Sequence, residues 1–235
     1  MRAGTRFTRS DTARAEAFSD GVFAIAVTIL VLDLSDPPHR SGGLAHALAQ
    51  QWPAYVGYAA SFSYVAVIWL NHHQAFVRVR SLDRGLQAAN LLVLFTTAAL
   101  PFPTGVLSRA LQEDFDGADA RTAVALYAGV AAAMCLSWVV LYHCLRRRPE
   151  LLATGVEPSY LRHGSLRSWI GVGLYAAAGV LGAALAPLVA LGVFLLVPAF
   201  YLLTSEGFGP ARTGAGGGAG GGGGAGGGGG AGEHG

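Results

Sequence analysis

Charge is scarce in this sequence: only 13% of its 235 residues are charged, whereas 52% are hydrophobic. That balance, with a mean hydropathy of +0.44, excludes an ordinary soluble domain. Cysteine is nearly absent. Cys135 and Cys144 fall in one apolar stretch, about 13.5 Å apart along a helix axis, which excludes a mutual disulfide and leaves packing as their role. Net charge is small, +2, and the basic residues sit between apolar runs. They report topology and exclude a nucleic-acid footprint. The first apolar run follows a polar stretch and precedes no small-residue cleavage signature, so no cleavable signal peptide is expected. Neither a tandem nor an inverted repeat is visible.

What is present is a series of long apolar runs. A helix needs about 20 residues to cross a bilayer. The runs give six expected spans, at residues 17–34, 53–72, 86–108, 122–145, 166–185 and 187–204. The last two divide near Pro187, because one unbroken helix over both would be about 58 Å long. Pro101 and Pro103 predict an irregular third span. Trp52, Tyr55 and Tyr58 lie near one span end, where aromatic side chains anchor at the membrane interface. The fold class is thus an all-α integral membrane protein with six transmembrane helices per subunit.

Arginine sets the orientation. Arg2, Arg6, Arg9 and Arg14 precede the first span; Arg78, Arg80 and Arg84 separate the second and third; Arg146, Arg147, Arg148, Arg162 and Arg167 separate the fourth and fifth. The alternate loops are poorer in positive charge, and one holds Glu113, Asp114, Asp116 and Asp119. Both termini are expected in the cytoplasm, and the protein in the plasma membrane. The chain divides into a cytoplasmic N-terminal segment (1–13), a membrane domain (14–206) and a Gly/Ala-rich tail (207–235). The composition of that tail predicts a flexible coil.

The first span reads "RAEAFSDGVFAIAVTILVLDL", residues 14–34. Its polar groups are costly in lipid and by default face protein or water. Ile25, Thr28, Ile29 and Leu32 share one helical face by their spacing. Such a face either packs on neighbouring helices or lines a path. Asp33 falls near the outer end, as a pore-mouth carboxylate or an interfacial one.

The segment resembles the first-span signature of the transmembrane protein 175 family of potassium channels, an Arg followed after three residues by Phe-Ser-Asp. Here those are Arg14, Phe18, Ser19 and Asp20. "WLNHHQAF" in the second span and "PFPTGVL" in the third are similar to further family segments. The likeness covers all but the tail, and one signature in six spans resembles the prokaryotic, single-repeat members. The resemblance implies a homotetramer with the first helix of each subunit lining a pore. Neither the family nor this sequence has the Thr-Val-Gly-Tyr-Gly filter of ordinary potassium channels. It further implies an apolar constriction at Ile25, further apolar layers at Ile29 and Leu32, and a selectivity role for Thr28. Potassium is then the permeant ion, with no cofactor. The resemblance also implies a helix-positioning network of Arg14, Phe18, Ser19 and Asp20 with Trp69, Asn71, His72 and His73.

Other chemistries fit less well. Adjacent imidazoles on a helix point about 100° apart, and no Cys, Asp or Glu follows "NHH" at ligand spacing, so a metal site is not expected. The ionisable groups gather at span ends, against a secondary transporter, which wants them near the midplane. Asp20 and His72 can mimic part of a catalytic dyad, but no third group completes one. A passive potassium-permeable channel is the expectation, with a proton or non-selective cation channel as the alternative.

Overall fold

The computed structural model describes residues 9–204. The expected tail (207–235) and the first eight residues of the N-terminal segment lie outside them. Among the described residues the chain is helical, apart from connecting turns and one isolated β-bridge between Val79 and Leu152.

Helix α1 (Arg9–Leu30) starts before the apolar run and runs straight into a 3₁₀ turn, Val31–Asp33. A short helix α2 (Leu44–Gln50) leads to α3 (Trp52–Val77). The expected third span is two helices, α4 (Arg84–Ala98) and α5 (Pro101–Glu113). The break falls where Pro101 contributes no N–H to the helical ladder. Asp83 caps α4, accepting the Leu86 N–H at 2.7 Å, as a short acidic side chain at a helix start does. Helix α6 (Ala118–Arg147) and helix α7 (Pro158–Ala184) follow, and α8 (Pro187–Thr204) begins at the proline that the sequence marks as the divide.

Among the described residues, five segments are long and apolar enough to cross a membrane: Thr12–Asp33, Trp52–Val77, Arg84–Glu113, Ala118–Arg147 and Pro158–Ala184. The sixth expected span is a shorter apolar helix, Pro187–Leu203. Helix α7 begins eight residues before the apolar stretch expected at 166, because a polar first turn is stable in the aqueous interface.

Helices α6 and α7 pack closely. A Cβ at Gly179 would lie 2.8 Å from that of Ala128, so glycine there lets the two backbones approach, a device of membrane helix pairs. At the same end of α7, Arg121 of α6 donates to the carbonyl of Ala183 at 2.9 Å, placing a cation against the negative end of the helix. The Arg-rich end of α6 meets the start of α4 through an ion pair of Arg148 with Asp83. There the Arg78 guanidinium also lies 4.2 Å from the centre of the Tyr160 ring.

Candidate pore helix and its hydrogen-bond supports

The two sides of α1 differ. Ala15, Ser19, Phe23, Ala26 and Leu30 are buried against the rest of the chain. The spacing of these residues, three or four apart, makes one stripe. On the opposite side Ile25 is 60% exposed, Ile29 43% and Leu32 73%, and Thr28 is exposed as well. All four residues of the sequence-predicted face are therefore free of the subunit's own core. Thr28 donates its hydroxyl to the Ile25 carbonyl at 2.9 Å. Its lone pairs remain outward, available to a cation or to water.

The buried stripe is held by one directed chain of hydrogen bonds. His72 Nε2 and Asn90 Oδ1 are 2.8 Å apart. Asn90 Nδ2 donates to Ser19 Oγ at 3.1 Å, and Ser19 donates to the Ala15 carbonyl at 2.8 Å. With the Asn90 amide so placed, the proton on His72 is at Nε2, because Oδ1 only accepts. Each donor thus has one acceptor. Ser19, His72 and Asn90 are all 0% exposed, so any broken link would strand a polar group at a cost of about 1–3 kcal/mol. The imidazole is fixed further by aromatic neighbours: its centroid is 4.1 Å from Phe76 and 5.1 Å from Phe23.

A second set of contacts lies along the exposed edge between α1 and α3. Trp69 Nε1 donates to Asp20 Oδ1 at 2.9 Å. His73 Nδ1 and Glu16 Oε1 are 3.1 Å apart. The Trp69 and His73 rings lie stacked, 6.3 Å between centroids. The two adjacent histidines therefore do different things: His72 points into the core and His73 to the edge.

The remaining expected network residues lie elsewhere. Asn71 turns back on its own helix, donating to the Val67 carbonyl at 2.9 Å. Phe18 is 56% exposed. Arg14 is exposed and makes no ion pair among the described residues. Asp33 does not stand free at a mouth: its carboxylate lies over Gly105 of α5, where a Cβ would meet it, and close to the charge of Arg109. Asn90 and Glu16 are contributors that sequence reasoning missed. A lone Asn inside the apolar run of α4 was the available signal for the first. Among the described residues no group of His, Cys, Asp or Glu could hold a metal ion.

Fold and site together define a polytopic α-helical membrane protein whose first helix is bound on one side and open on the other. Residues 14–101 match the family model described as "Endosomal/lysosomal potassium channel TMEM175". A potassium channel of Streptomyces collinus is 42% identical over 163 residues, covering 69% of this chain and 78% of its own length. A potassium channel of Chamaesiphon minutus is 33% identical over 201 residues, covering 84% and 97%. The crystal structure of a lysosomal potassium-selective channel TMEM175 homolog from Chamaesiphon minutus superposes with a TM-score of 0.70 over 83% of this chain and 97% of that one. The mouse endosomal/lysosomal proton channel TMEM175 is 28% identical over 160 residues, about a third (32%) of its length. The chain belongs to the TMEM175 family.

Proposed function

We propose that this protein is a potassium-permeable channel of the TMEM175 family, in which four copies set α1 around a shared axis. The observation that carries the reading is the bare face of α1. One stripe of that helix, Ala15 to Leu30, is held by the subunit's own packing and hydrogen bonds, whereas Ile25, Thr28, Ile29 and Leu32 lie outside the subunit's core. Two relatives named as potassium channels, and a structural neighbour described as potassium-selective, support the choice of ion.

The chemistry follows from the side chains. A ring of four Ile25 side chains offers water and hydrated ions no polar partner, so it resists wetting and acts as the narrow point. Ile29 and Leu32 form further apolar layers. Four Thr28 hydroxyls replace part of an ion's hydration shell without holding it tightly, as conduction requires. Ser19 with Asn90 and His72, and Asp20 with Trp69, orient the helix and take no part in conduction. In this reading α8 crosses the membrane as the sixth span and both termini face the cytoplasm in the plasma membrane. Asp33, tied down near Arg109, adds negative potential at the outer end.

The test is passive flux from liposomes holding the purified protein, with the mass of the particle measured beforehand. A channel of four subunits dissipates a potassium gradient without a coupled solute. Saturating, coupled transport would overturn the reading. The mouse relative's description as a proton channel favours a second reading, proton or mixed-cation passage through the same path. A pH-sensitive dye in the same vesicles separates the two.

A further inference from the structure

Helices α6 and α7 each carry an exposed apolar stripe that ends in arginine, both at the same end of the molecule. On α6 it is Leu136, Val140, His143 and Arg147; on α7 it is Arg162, Leu166, Trp169 and Val180. At about 100° per residue, each set stays within about 40° of one line along its helix. Leu136 is 45% exposed, Leu166 56%, Trp169 53% and Val180 68%. The helices run antiparallel: Gly164 faces Tyr142, and Gly179 faces Ala128. The last turn of α6 therefore lies beside the first turns of α7, where the Tyr142 and Tyr160 ring centres are 6.4 Å apart.

The lengths match a bilayer. Leu166 and Val180 are about 21 Å apart along the axis, within a hydrocarbon core of about 30 Å. Arg162 stands about 6 Å beyond Leu166, and Arg147 about 6 Å beyond His143, at the depth of the headgroups. Trp169 is the amphipathic ring that favours this boundary.

Neither guanidinium is used inside the subunit. Arg147 and Arg162 are exposed and make no ion pair among the described residues. The nearby carboxylates do little for them. Asp83 pairs with Arg148, and Glu157 accepts the Ser159 hydroxyl at 2.9 Å. In residues 78–84 and 143–167 together, eight arginines stand against three carboxylates, Asp83, Glu150 and Glu157. At the opposite end of the same helix pair, Arg121 is engaged by Asp116 and by the Ala183 carbonyl.

We propose that Arg147 and Arg162 seat the headgroups of anionic phospholipids, with acyl chains lying along the two stripes. The stripes alone suit any lipid tail. The unspent cations select a negative head, and the planar fork of a guanidinium matches its phosphate. Helix α1 packs on α3, α4 and α5, so α6 and α7 stand behind the helix assigned to the pore, within reach of lipid. The proposal needs the chain in a bilayer and does not depend on conduction.

The experiment counts retained lipid by native mass spectrometry. Full-length protein is delipidated in detergent and returned to nanodiscs of phosphatidylglycerol and phosphatidylcholine in equal parts. Wild type is expected to retain phosphatidylglycerol in preference. That preference should fall about five-fold for each arginine removed in Arg147→Gln and Arg162→Gln. No preference in wild type, or an unchanged one in the double variant, would overturn the site. Arg40→Gln removes the same unit charge from an exposed position between α1 and α2 and should change nothing. An equal fall there would reduce the effect to net charge and overturn the site too. Millimolar inorganic phosphate and glycerol phosphate are expected to leave retention intact. Displacement by either would make this a site for free anions and overturn the lipid assignment.

Discussion

Trp69 and Asp20, forty-nine residues apart in sequence, are joined by an indole N–H to carboxylate hydrogen bond of 2.9 Å. It fixes α1 to α3 on the edge the core leaves open. Beside it His73 and Glu16 add a second tie. The edge is solvent- or partner-facing, so each tie is worth little alone, about 0.2–1 kcal/mol for an exposed pair.

Asp20→Ala should lower the yield of assembled particles more than it lowers flux per assembled particle. Trp69→Phe should do the same, and the double variant should be no worse than either single one. Size exclusion with flux normalised to tetramer checks this. Additive losses would mean that the two residues act separately.

Asn90→Leu removes the middle link between His72 and Ser19. The buried His72 N–H is stranded at about 1–3 kcal/mol, while Ser19 keeps its bond to the Ala15 carbonyl, so a fall in detergent melting temperature is expected. Asn71→Leu is the control, because the Asn71 amide serves only its own helix. The larger loss should belong to Asn90.

In the proposed ring, Ile25→Ala widens the apolar constriction and should raise conductance while weakening discrimination among cations. Thr28→Val keeps the shape but removes the oxygen. It should reduce the preference for potassium over sodium, read as a shift of reversal potential under bi-ionic conditions. An unchanged reversal potential would remove Thr28 from the selectivity argument.

Gly105→Ala should be destabilising, because the new methyl would fall on the Asp33 carboxylate. Overpacking of this kind costs about 1–3 kcal/mol. Asp33→Ala in the same chain should restore stability, and thermal melts of the single and double variants test the pair.

Much of this architecture was legible in the sequence, and for identifiable reasons. Hydrophobic run length located the helices, and the missing N–H of Pro101 located the break between α4 and α5. The spacing of Ile25, Thr28, Ile29 and Leu32 put them on one face but left open whether it packs on neighbouring helices; in the fold that face is exposed. What could not be read was partner choice. His72 and His73 are neighbours in sequence, and only the rotation of α3 against α1 and α4 decides which one meets Asn90. Asp33 is similar: its charge and position suggest an open mouth, but the bare backbone of Gly105 gives the carboxylate a surface to rest on.

The bonds running from His72 through Asn90 and Ser19 to the Ala15 carbonyl all point the same way. α1 therefore cannot turn on its long axis like a camshaft without snapping the series. In the proposed ring, widening of the passage is then expected from rotamer changes at Ile25, or from α1, α3 and α4 tilting outward together as one rigid block.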